Sequence, residues 1–312
     1  MKLGLVFPQT EIADDPIAIR DFARTAEAEG FDYLLAYDHV LGVDPQQRPD
    51  WDPFKVLDTT DAIETDSDTK RAPYNYKSAF QEPMVLFAYL AAVTERIEMA
   101  TGVVILPQRQ TALVAKQAAN VANLSSNRLR LGVGIGWNDA EYEALGMNFR
   151  SRGHRIEEQI DTLRRLWRED AVTFKGDFDH LRGVGINPRP RQPIPLWLGG
   201  LSEVAMKRAA RIADGWQPMI PPSEARKTAS VFRELVEADG RDPDLVGLEN
   251  VVSCGVTTGG PIIPFEEAAE IAQVSRDAGF THMCISTMDA GHETIEDHLE
   301  YAAQWLRRAR EA

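Results

Sequence analysis

The segments ARTAEAEGFDYLLAYD, residues 23–38, and AQVSRDAGFTHMCIST, residues 272–287, decide the fold. Each contains the end of a helix, a Gly-Phe pair that stops the helix, and an apolar run typical of a buried parallel strand. The same unit therefore occurs near both ends of the chain. This repetition favours a fold built from successive helix and strand units.

Apolar, β-rich runs alternate with amphipathic stretches along the rest of the chain. The predicted strands are 3–7, 33–37, 97–104, 129–134, 195–199, 215–219, 248–256 and 282–286. The predicted helices are 16–29, 83–94, 111–124, 153–168, 203–213, 223–238, 265–278 and 294–310. Eight such units predict one closed (β/α)₈ barrel, a TIM barrel, over residues 1–312. A doubly wound sheet is the competing fold, but no GxGxxG turn follows the first strand.

Capping residues support several helix boundaries. Asp15 precedes a helix-starting proline, and Thr294 with Asp297 forms the pattern of a capping box. Gly30 and Gly279 stand where a left-handed residue commonly ends a helix.

Charge and composition exclude several classes of partner. The 312 residues include 34 basic and 48 acidic side chains, a net charge of −14, which disfavours nucleic acid and anionic membranes as partners. No apolar run approaches the ~20 residues that span a bilayer, and residues 1–10 lack a signal-peptide pattern. We therefore expect a cytoplasmic protein. Cys254 and Cys284 lie in apolar runs, which predicts buried, inert thiols.

Two long connections interrupt the alternation, at residues 39–82 and 169–194. The first is an insertion that follows the second strand, so in a barrel it lies on the catalytic face. We interpret it as a lid that covers substrate, with Trp51, Tyr74 and Tyr76 as substrate-binding residues. A loose acidic insertion is the alternative, which the aromatic residues disfavour; these are Trp51, Phe54, Tyr74, Tyr76 and Phe80.

Candidate catalytic residues follow from the rule that barrel enzymes place them at the carboxyl ends of strands. His39 stands at such an end with Asp38 beside it, and histidine suits proton transfer near neutral pH. A structural hydrogen bond is the alternative role for a single histidine. The other strand ends contribute Gly134, Gly136, Trp137, Asn138, Glu141, Gln217, Thr257, Ser286 and Thr287. No spacing of histidine and cysteine indicates a metal site.

Two glycine patterns suggest ligand contacts. Residues 199–202, Gly199, Gly200, Leu201 and Ser202, open a helix directly after a strand, where backbone N–H groups favour an anion. A tight turn with Ser202 as an ordinary N-cap explains this segment equally well. Glycine at every second position from Gly132 to Gly136 leaves room for a flat ligand or for close strand packing.

Three stretches together resemble one enzyme family. They are LRLGVGIGWNDAEYEALGMNFRSRGHRIEEQIDTLRRLW (129–167), ATGVVILPQR (100–109) with the helix that follows it, and PLWLGGLSEVAMKRAARIADGW (195–216). In order and spacing they resemble the bacterial luciferase-like family of flavin- and F420-dependent oxidoreductases. The resemblance covers nearly the whole chain.

The resemblance implies an isoalloxazine or deazaflavin ring in the mouth of the barrel. His39, with Asp38, matches an active-site histidine of the deazaflavin enzymes. Gly102 and Val103 match a bulge that often carries a non-proline cis peptide against the ring, and residues 199–202 match a phosphate-side segment. Sugar-phosphate dehydrogenases of this family carry a glutamate near the glycines of the fourth strand, where this sequence has Trp137 after Gly136. Oxidation of a sugar phosphate is therefore not expected.

The leading hypothesis for function is hydride transfer between reduced coenzyme F420 and an organic small molecule, with His39 as proton donor or as a group that orients the ring. The second hypothesis is an FMN-dependent monooxygenase that receives FMNH₂ from a separate flavin reductase and reacts with O₂ in a dry pocket. The third is a barrel that has lost its cofactor and has no activity. The resemblance also implies a homodimer.

Overall fold

The computed structural model describes residues 1–12, 14–52, 74–254 and 265–311. Its strands, in chain order, are β1 Lys2–Val6, β2 Tyr33–Ala36, β3 Glu98–Thr101, β4 Val104–Ile105, β5 Leu129–Gly134, β6 Val172–Lys175, β7 His180–Val184, β8 Leu196–Gly199, β9 Gly215–Gln217, β10 Gly247–Ser253 and β11 His282–Ser286. Its α-helices are α1 Gln9–Ile12, α2 Pro16–Glu29, α3 Pro83–Val93, α4 Thr111–Leu124, α5 Asp139–Ala144, α6 Arg152–Arg168, α7 Glu203–Ile212, α8 Ala225–Ala238, α9 Phe265–Asp277 and α10 Ile295–Glu311.

The strands close into a parallel barrel. The order β3-β2-β1-β11-β10-β9-β8-β5 is closed by pairing of β3 with β5, through Met99 with Leu129 and Ala100 with Arg130. β4 continues the line of β3 and pairs with β5. The predicted eight-stranded barrel is confirmed, and all its strands point their carboxyl ends to the same mouth.

The helices begin and end where the capping residues predict. The Asp15 carboxylate accepts hydrogen bonds from the backbone N–H of Ile17 and Ala18, and Gly30 ends α2 with a φ of +96°. At the other end of the chain, Asp297 accepts from the Thr294 N–H while Thr294 Oγ1 accepts from the Asp297 N–H. These bonds satisfy N–H groups that have no partner within a helix.

The structure differs from the sequence prediction in two places. The predicted third strand, 97–104, is interrupted at Gly102 and Val103, which form a bulge between β3 and β4. The connection 169–194, expected to be irregular, contains the antiparallel hairpin of β6 and β7, which Glu158 supports by accepting three backbone N–H bonds. Residues 53–73 of the predicted insertion 39–82 lie outside the described residues. Thr257, a candidate at the end of the seventh predicted strand, also lies outside them.

Apolar side chains fill the space between barrel and helices, whereas the inside of the barrel holds charges. The Arg130 guanidinium donates to both carboxylate oxygens of Glu249 at 2.6 and 3.1 Å, and Gln217 Nε2 donates to Glu249 at 2.7 Å. Burial opposes ionisation of Glu249, but Arg130 outweighs it and holds the pKa of the carboxyl below its usual value. Both charges are buried and paired with each other, as buried charges usually are, while Arg130 Nε has no hydrogen-bond partner among the described residues.

Aromatic rings and glycines fit this ion pair into the narrow barrel. The Arg130 guanidinium lies between the rings of Tyr33 and Trp197, at 4.7 and 4.4 Å from their centroids. A Cβ added at Gly4 would lie 2.3 Å from the Tyr33 ring, and one at Gly215 would lie 2.3 Å from the Trp197 ring. Glycine therefore provides the volume that the large side chains occupy. We call Arg130, Glu249, Tyr33 and Trp197 the barrel plug.

His282 lies against the barrel plug and makes stability depend on pH. Its ring lies 4.8 Å from that of Trp197, and burial, followed by the charge of Arg130, lowers its pKa from 6.5 to about 3. An unfolded chain takes up a proton at this residue below pH 6.5, whereas the folded chain does not. The stability that neutral His282 contributes is thus present above pH 6.5 and is lost as the pH falls towards 3.

We predict that His282→Gln weakens this pH dependence. Between pH 8 and pH 5.5, the free energy of unfolding of the wild type should fall by about 1.4 kcal/mol more than that of the variant, because one fewer proton is taken up on unfolding. Urea unfolding at the two pH values measures the difference. His180→Gln, at an exposed histidine of β7, should keep the wild-type dependence. Equal slopes for all three proteins would contradict the prediction.

Candidate active site

His39 lies at the mouth of the barrel, three residues after β2, within a group of aromatic rings. Its ring centroid is 3.9 Å from that of Tyr74, 5.1 Å from Phe80 and 5.9 Å from Trp137. Trp51 stacks on Trp137 at 6.2 Å. We call Trp51, Tyr74, Phe80 and Trp137 the aromatic wall. It leaves 15% of the His39 side chain exposed, so little water reaches the imidazole.

Polar contacts hold the aromatic wall in place. Asn138 Nδ2 donates to the Tyr74 hydroxyl at 2.7 Å, and Trp51 Nε1 donates to Asp139 Oδ1 at 2.9 Å. Asn138 also caps α5 by accepting from the Ala140 N–H. Of the predicted substrate residues, Tyr74 lies beside His39, and Trp51 lies on the far side of the wall, stacked on Trp137. Tyr76 does not join them, because its side chain is 55% exposed.

Asp38 is turned away from His39 and is fully occupied. Its Oδ2 accepts from the Ile105 N–H at 2.9 Å and from Arg109 Nε at 3.2 Å, and its Oδ1 accepts from Arg109 Nη2 at 2.6 Å. Arg109 also donates to Glu82 at 2.8 Å. The contacts give Asp38 a positioning role: it joins the end of β2 to the segment that follows the bulge.

The bulge at Gly102 and Val103 contains a cis peptide bond, as the family resemblance implies. The Val103 side chain packs onto neighbouring strand ends. A Cβ added at Gly134 would lie 2.4 Å from Val103 Cγ2, and one at Gly199 would lie 2.7 Å from Val103 Cγ1. Of the two interpretations of the glycine pattern, close packing at the rim explains Gly134. Gly136, with a φ of +63°, packs in the same way on Ile105.

The segment 199–202 opens α7 towards solvent. Ser202 Oγ accepts from the Ala205 N–H at 3.2 Å and is therefore an ordinary N-cap. Leu201 is 61% exposed, and the carbonyl of Gly200 accepts from Trp216 Nε1 at 3.0 Å. The start of the helix remains accessible to an anion, although nothing in these contacts selects one.

Tyr37 forms part of the floor of the mouth. It directly follows β2 and packs against a small buried cluster that includes Cys284 and Met288. Its hydroxyl is buried beside Ser286 without a hydrogen bond of normal geometry to a described residue. Burial, then the neighbouring Cys284, raises the pKa of Tyr37, so the hydroxyl keeps its proton. A buried, unpartnered hydroxyl at this position is suited to a polar ligand edge.

The contacts of several residues were not predicted from the sequence, although Glu141 was among the candidates at the end of the fourth strand. Glu141 is fully buried and contacts His39, and Arg109 organises the bulge. Glu11 lies 3.8 Å from His298, and burial raises its pKa from 4.5 to about 7. The only local signal for Glu141 was its place in the stretch after the fourth strand, because the partners of these residues are distant in sequence.

Other predicted features can be located briefly. Cys254 and Cys284 are buried free thiols, as predicted, and burial raises the pKa of both. Gln217 belongs to the network around Glu249, and Thr287 bonds His298. Over residues 1–12, 14–52, 74–254 and 265–311, no cluster of acidic, histidine or cysteine side chains could hold a metal. Within the same residues, every helix is too short or too polar to cross a bilayer.

Several known proteins are similar to this chain. A model of the family described as luciferase-like monooxygenase matches residues 1–312. An uncharacterized Mycobacterium tuberculosis protein is 45% identical over 137 residues, 44% of this chain and 47% of the relative. The chain thus matches about half of that relative's length. The FMNH₂-dependent dimethylsulfone monooxygenase of Pseudomonas fluorescens is 33% identical over 143 residues, 45% of this chain and 39% of the relative.

A solved structure of an F420-dependent secondary alcohol dehydrogenase, in complex with an F420–acetone adduct, has a similar fold. Its TM-score is 0.75 at 17% identity, and the match covers 99% of each chain. At this identity the likeness concerns the fold alone.

We predict that Asp38→Asn destabilises the protein by about 2–3 kcal/mol, because it leaves the largely buried Arg109 with Glu82 as its single ionic partner. Urea unfolding measures the change. Asp21→Asn removes an exposed pair with Arg20 and should change stability little. An Asp38→Asn protein as stable as the Asp21→Asn control would show that the pair does not anchor the bulge.

We also predict that Gly134→Ala costs about 1–3 kcal/mol, because the new methyl group collides with Val103. Gly153→Ala is the matched control, since its Cβ meets nothing closer than 3.8 Å and alanine favours a helix over glycine. Thermal unfolding of both variants checks the difference. If Gly134→Ala is tolerated as well as Gly153→Ala, the packing argument is wrong.

Proposed function

The chain belongs to the luciferase-like monooxygenase family, and from this premise we propose that it is an oxidoreductase that uses reduced coenzyme F420 for hydride transfer to or from an organic substrate. The observation that carries the proposal is the position of His39. This histidine lies at the mouth of the barrel, partly shielded from water, with one ring nitrogen towards Glu141 and the other without a hydrogen bond to any described residue. A titratable group held in this way is suited to proton transfer.

Two features of the mouth are suited to a flat ring with a polar edge. Where β5 and β8 end, Gly134 and Gly199 present backbone with only the small Val103 side chain between them. The buried hydroxyl of Tyr37 offers an unused hydrogen bond at the floor. An apolar face combined with few convergent polar groups is the usual composition of a cofactor pocket. Gly102, Val103, Gly134, Gly136, Trp137 and Asn138, with residues 199–202 on the phosphate side, are the proposed cofactor contacts.

The residues of the chain supply what the cofactor does not. When bound, reduced F420 is a source of hydride. His39 gives a proton from Nε2 to the substrate oxygen during reduction and takes it back during oxidation, so that a carbonyl and an alcohol interconvert with balanced charge. The aromatic wall restricts water and supplies apolar contacts for the substrate. Asp38 and Arg109 keep the bulge in register with the end of β2.

The second candidate function is a two-component monooxygenase that uses FMNH₂ and O₂. The similarity to the P. fluorescens enzyme supports it, because that relative is named as FMNH₂-dependent. The aromatic wall suits this chemistry too, since it would keep water away from the reacting groups. A separate flavin reductase would then be a partner.

Titration with each cofactor distinguishes the two functions. We predict that the protein quenches F420 fluorescence with saturation and does not bind FMN tightly. It should also oxidise reduced F420 in the presence of some members of a panel of ketones and aldehydes. His39→Gln should bind F420 with similar affinity and lose about 10²-fold or more in turnover, because general acid catalysis contributes on this scale. His180→Gln controls for loss of an exposed histidine.

The opposite pattern overturns the proposal. Tight FMN binding without F420 binding, with O₂ consumption when FMNH₂ is supplied, establishes the monooxygenase. Binding of neither cofactor indicates a barrel that has lost its activity.

A further inference from the structure

We propose that Glu141 is a positioning residue that holds His39 as its Nδ1–H tautomer and so leaves Nε2 free to exchange a proton with the substrate. The inference rests on the proposed function, because it specifies how the proton-transfer group of that function is prepared. It concerns a residue 102 positions away from His39 in sequence that lies on a different element.

Glu141 lies in a buried environment that holds its carboxylate in place. This residue lies on α5, its side chain is 0% exposed, and no lysine or arginine among the described residues pairs with it. Its Oε1 accepts the backbone N–H groups of Val40 and Leu41, at 2.6 and 3.0 Å. One carboxylate oxygen thus fixes the backbone directly after His39.

The other carboxylate oxygen of Glu141 faces the His39 ring. Glu141 Oε2 lies 3.5 Å from His39 Nδ1, at the outer limit of a hydrogen bond. Catalytic hydrogen bonds are often this long without ligand and tighten in the complex. A carboxylate only accepts, so the contact requires a hydrogen on Nδ1. Nε2, across the ring, then carries the lone pair of the neutral imidazole.

The other described acidic side chains near His39 do not act as acceptors for its imidazole. Asp38 is paired with Arg109, and Asp139 accepts from Trp51 Nε1. Tyr74, whose ring lies 3.9 Å from that of His39, keeps its proton, because burial and then the charge of Glu141 raise its pKa. Among the described residues, Glu141 is therefore the acidic group that contacts the imidazole.

The chemistry follows from the tautomer. During oxidation of an alcohol, Nε2 would accept the hydroxyl proton, bound F420 would supply the acceptor for the C–H hydride, and a C=O bond would form. The resulting imidazolium keeps its Nδ1–H bond to the carboxylate, which stabilises the added charge. During reduction, Nε2–H returns the proton to the oxygen. With the other tautomer, Nε2 already carries hydrogen and cannot accept.

Glu141→Gln reverses the tautomer by a defined mechanism. The N–H groups of Val40 and Leu41 need an acceptor, so the glutamine carbonyl takes the place of Oε1. Its NH₂ group then faces His39 Nδ1 and donates to it. Nδ1 must accept, and the ring hydrogen moves to Nε2.

The test is ¹⁵N NMR of the histidine rings in protein without cofactor. It is done at pH 9, because a histidine with the usual pKa is neutral there. His39→Gln identifies the His39 signals by their loss. We expect a protonated-type Nδ1 and a free-type Nε2 in the wild type, and the reverse in Glu141→Gln. Glu143→Gln, an exposed residue of the same helix that pairs with Arg48, should keep the wild-type pattern.

Kinetics give the second readout. In F420-linked oxidation of a secondary alcohol, kcat of Glu141→Gln should fall about 10²-fold with KM within about twofold, since the substrate does not contact Glu141. If this variant does not fold, the wild-type spectrum alone still decides, and Glu141→Asp, whose shorter side chain cannot keep both contacts, should show mixed tautomers.

The results separate this inference from the proposed function. A wild-type His39 with hydrogen on Nε2, or an unchanged tautomer in Glu141→Gln, overturns the positioning role even if F420 is the cofactor. The expected tautomers without F420 binding overturn the F420 proposal and leave Glu141 as the residue that orients His39.

Discussion

The ion pair between Arg130 and Glu249 is the interaction on which the rest of the structure depends. A barrel of eight strands has room for side chains inside but not for a channel, and here two charges occupy that room. The Tyr33 and Trp197 rings enclose Arg130, and Gln217 completes the contacts of Glu249. Because five side chains from separate strands meet in one cluster around this ion pair, the register of the barrel is fixed from within.

The barrel plug and the mouth occupy different halves of the strands. The plug fills the half of the barrel near the amino ends, so the carboxyl ends are free to carry glycine and small side chains. Gly134 and Gly199 accommodate Val103, while the Asp38–Arg109 pair holds the bulge to β2. This packing holds the rim together, and Tyr37 and His39 follow β2 at the same rim.

Features that depend on nearby residues were predictable from the sequence, whereas features that depend on distant residues were not. The helix ends at Asp15, Gly30 and Thr294 were predictable, because a cap involves residues within four positions of each other. The interruption at Gly102 was suggested only by resemblance, since nothing local distinguishes it from a continuous strand. The roles of Asp38 and Tyr76 were not predictable, because they depend on which side chains the closed barrel brings near them.

The sequence by itself therefore determined the eight units, their helix caps and the placing of His39 at a strand end, since periodicity and capping act within a few residues. Only the tertiary structure decided that Asp38 binds Arg109, 71 positions away, and that Glu141 approaches His39 across 102 positions. It also decided that Gly134 packs against Val103. The physical reason is barrel closure: joining β3 to β5 brings the ends of distant strands together, and the contacts across them follow from that joint geometry.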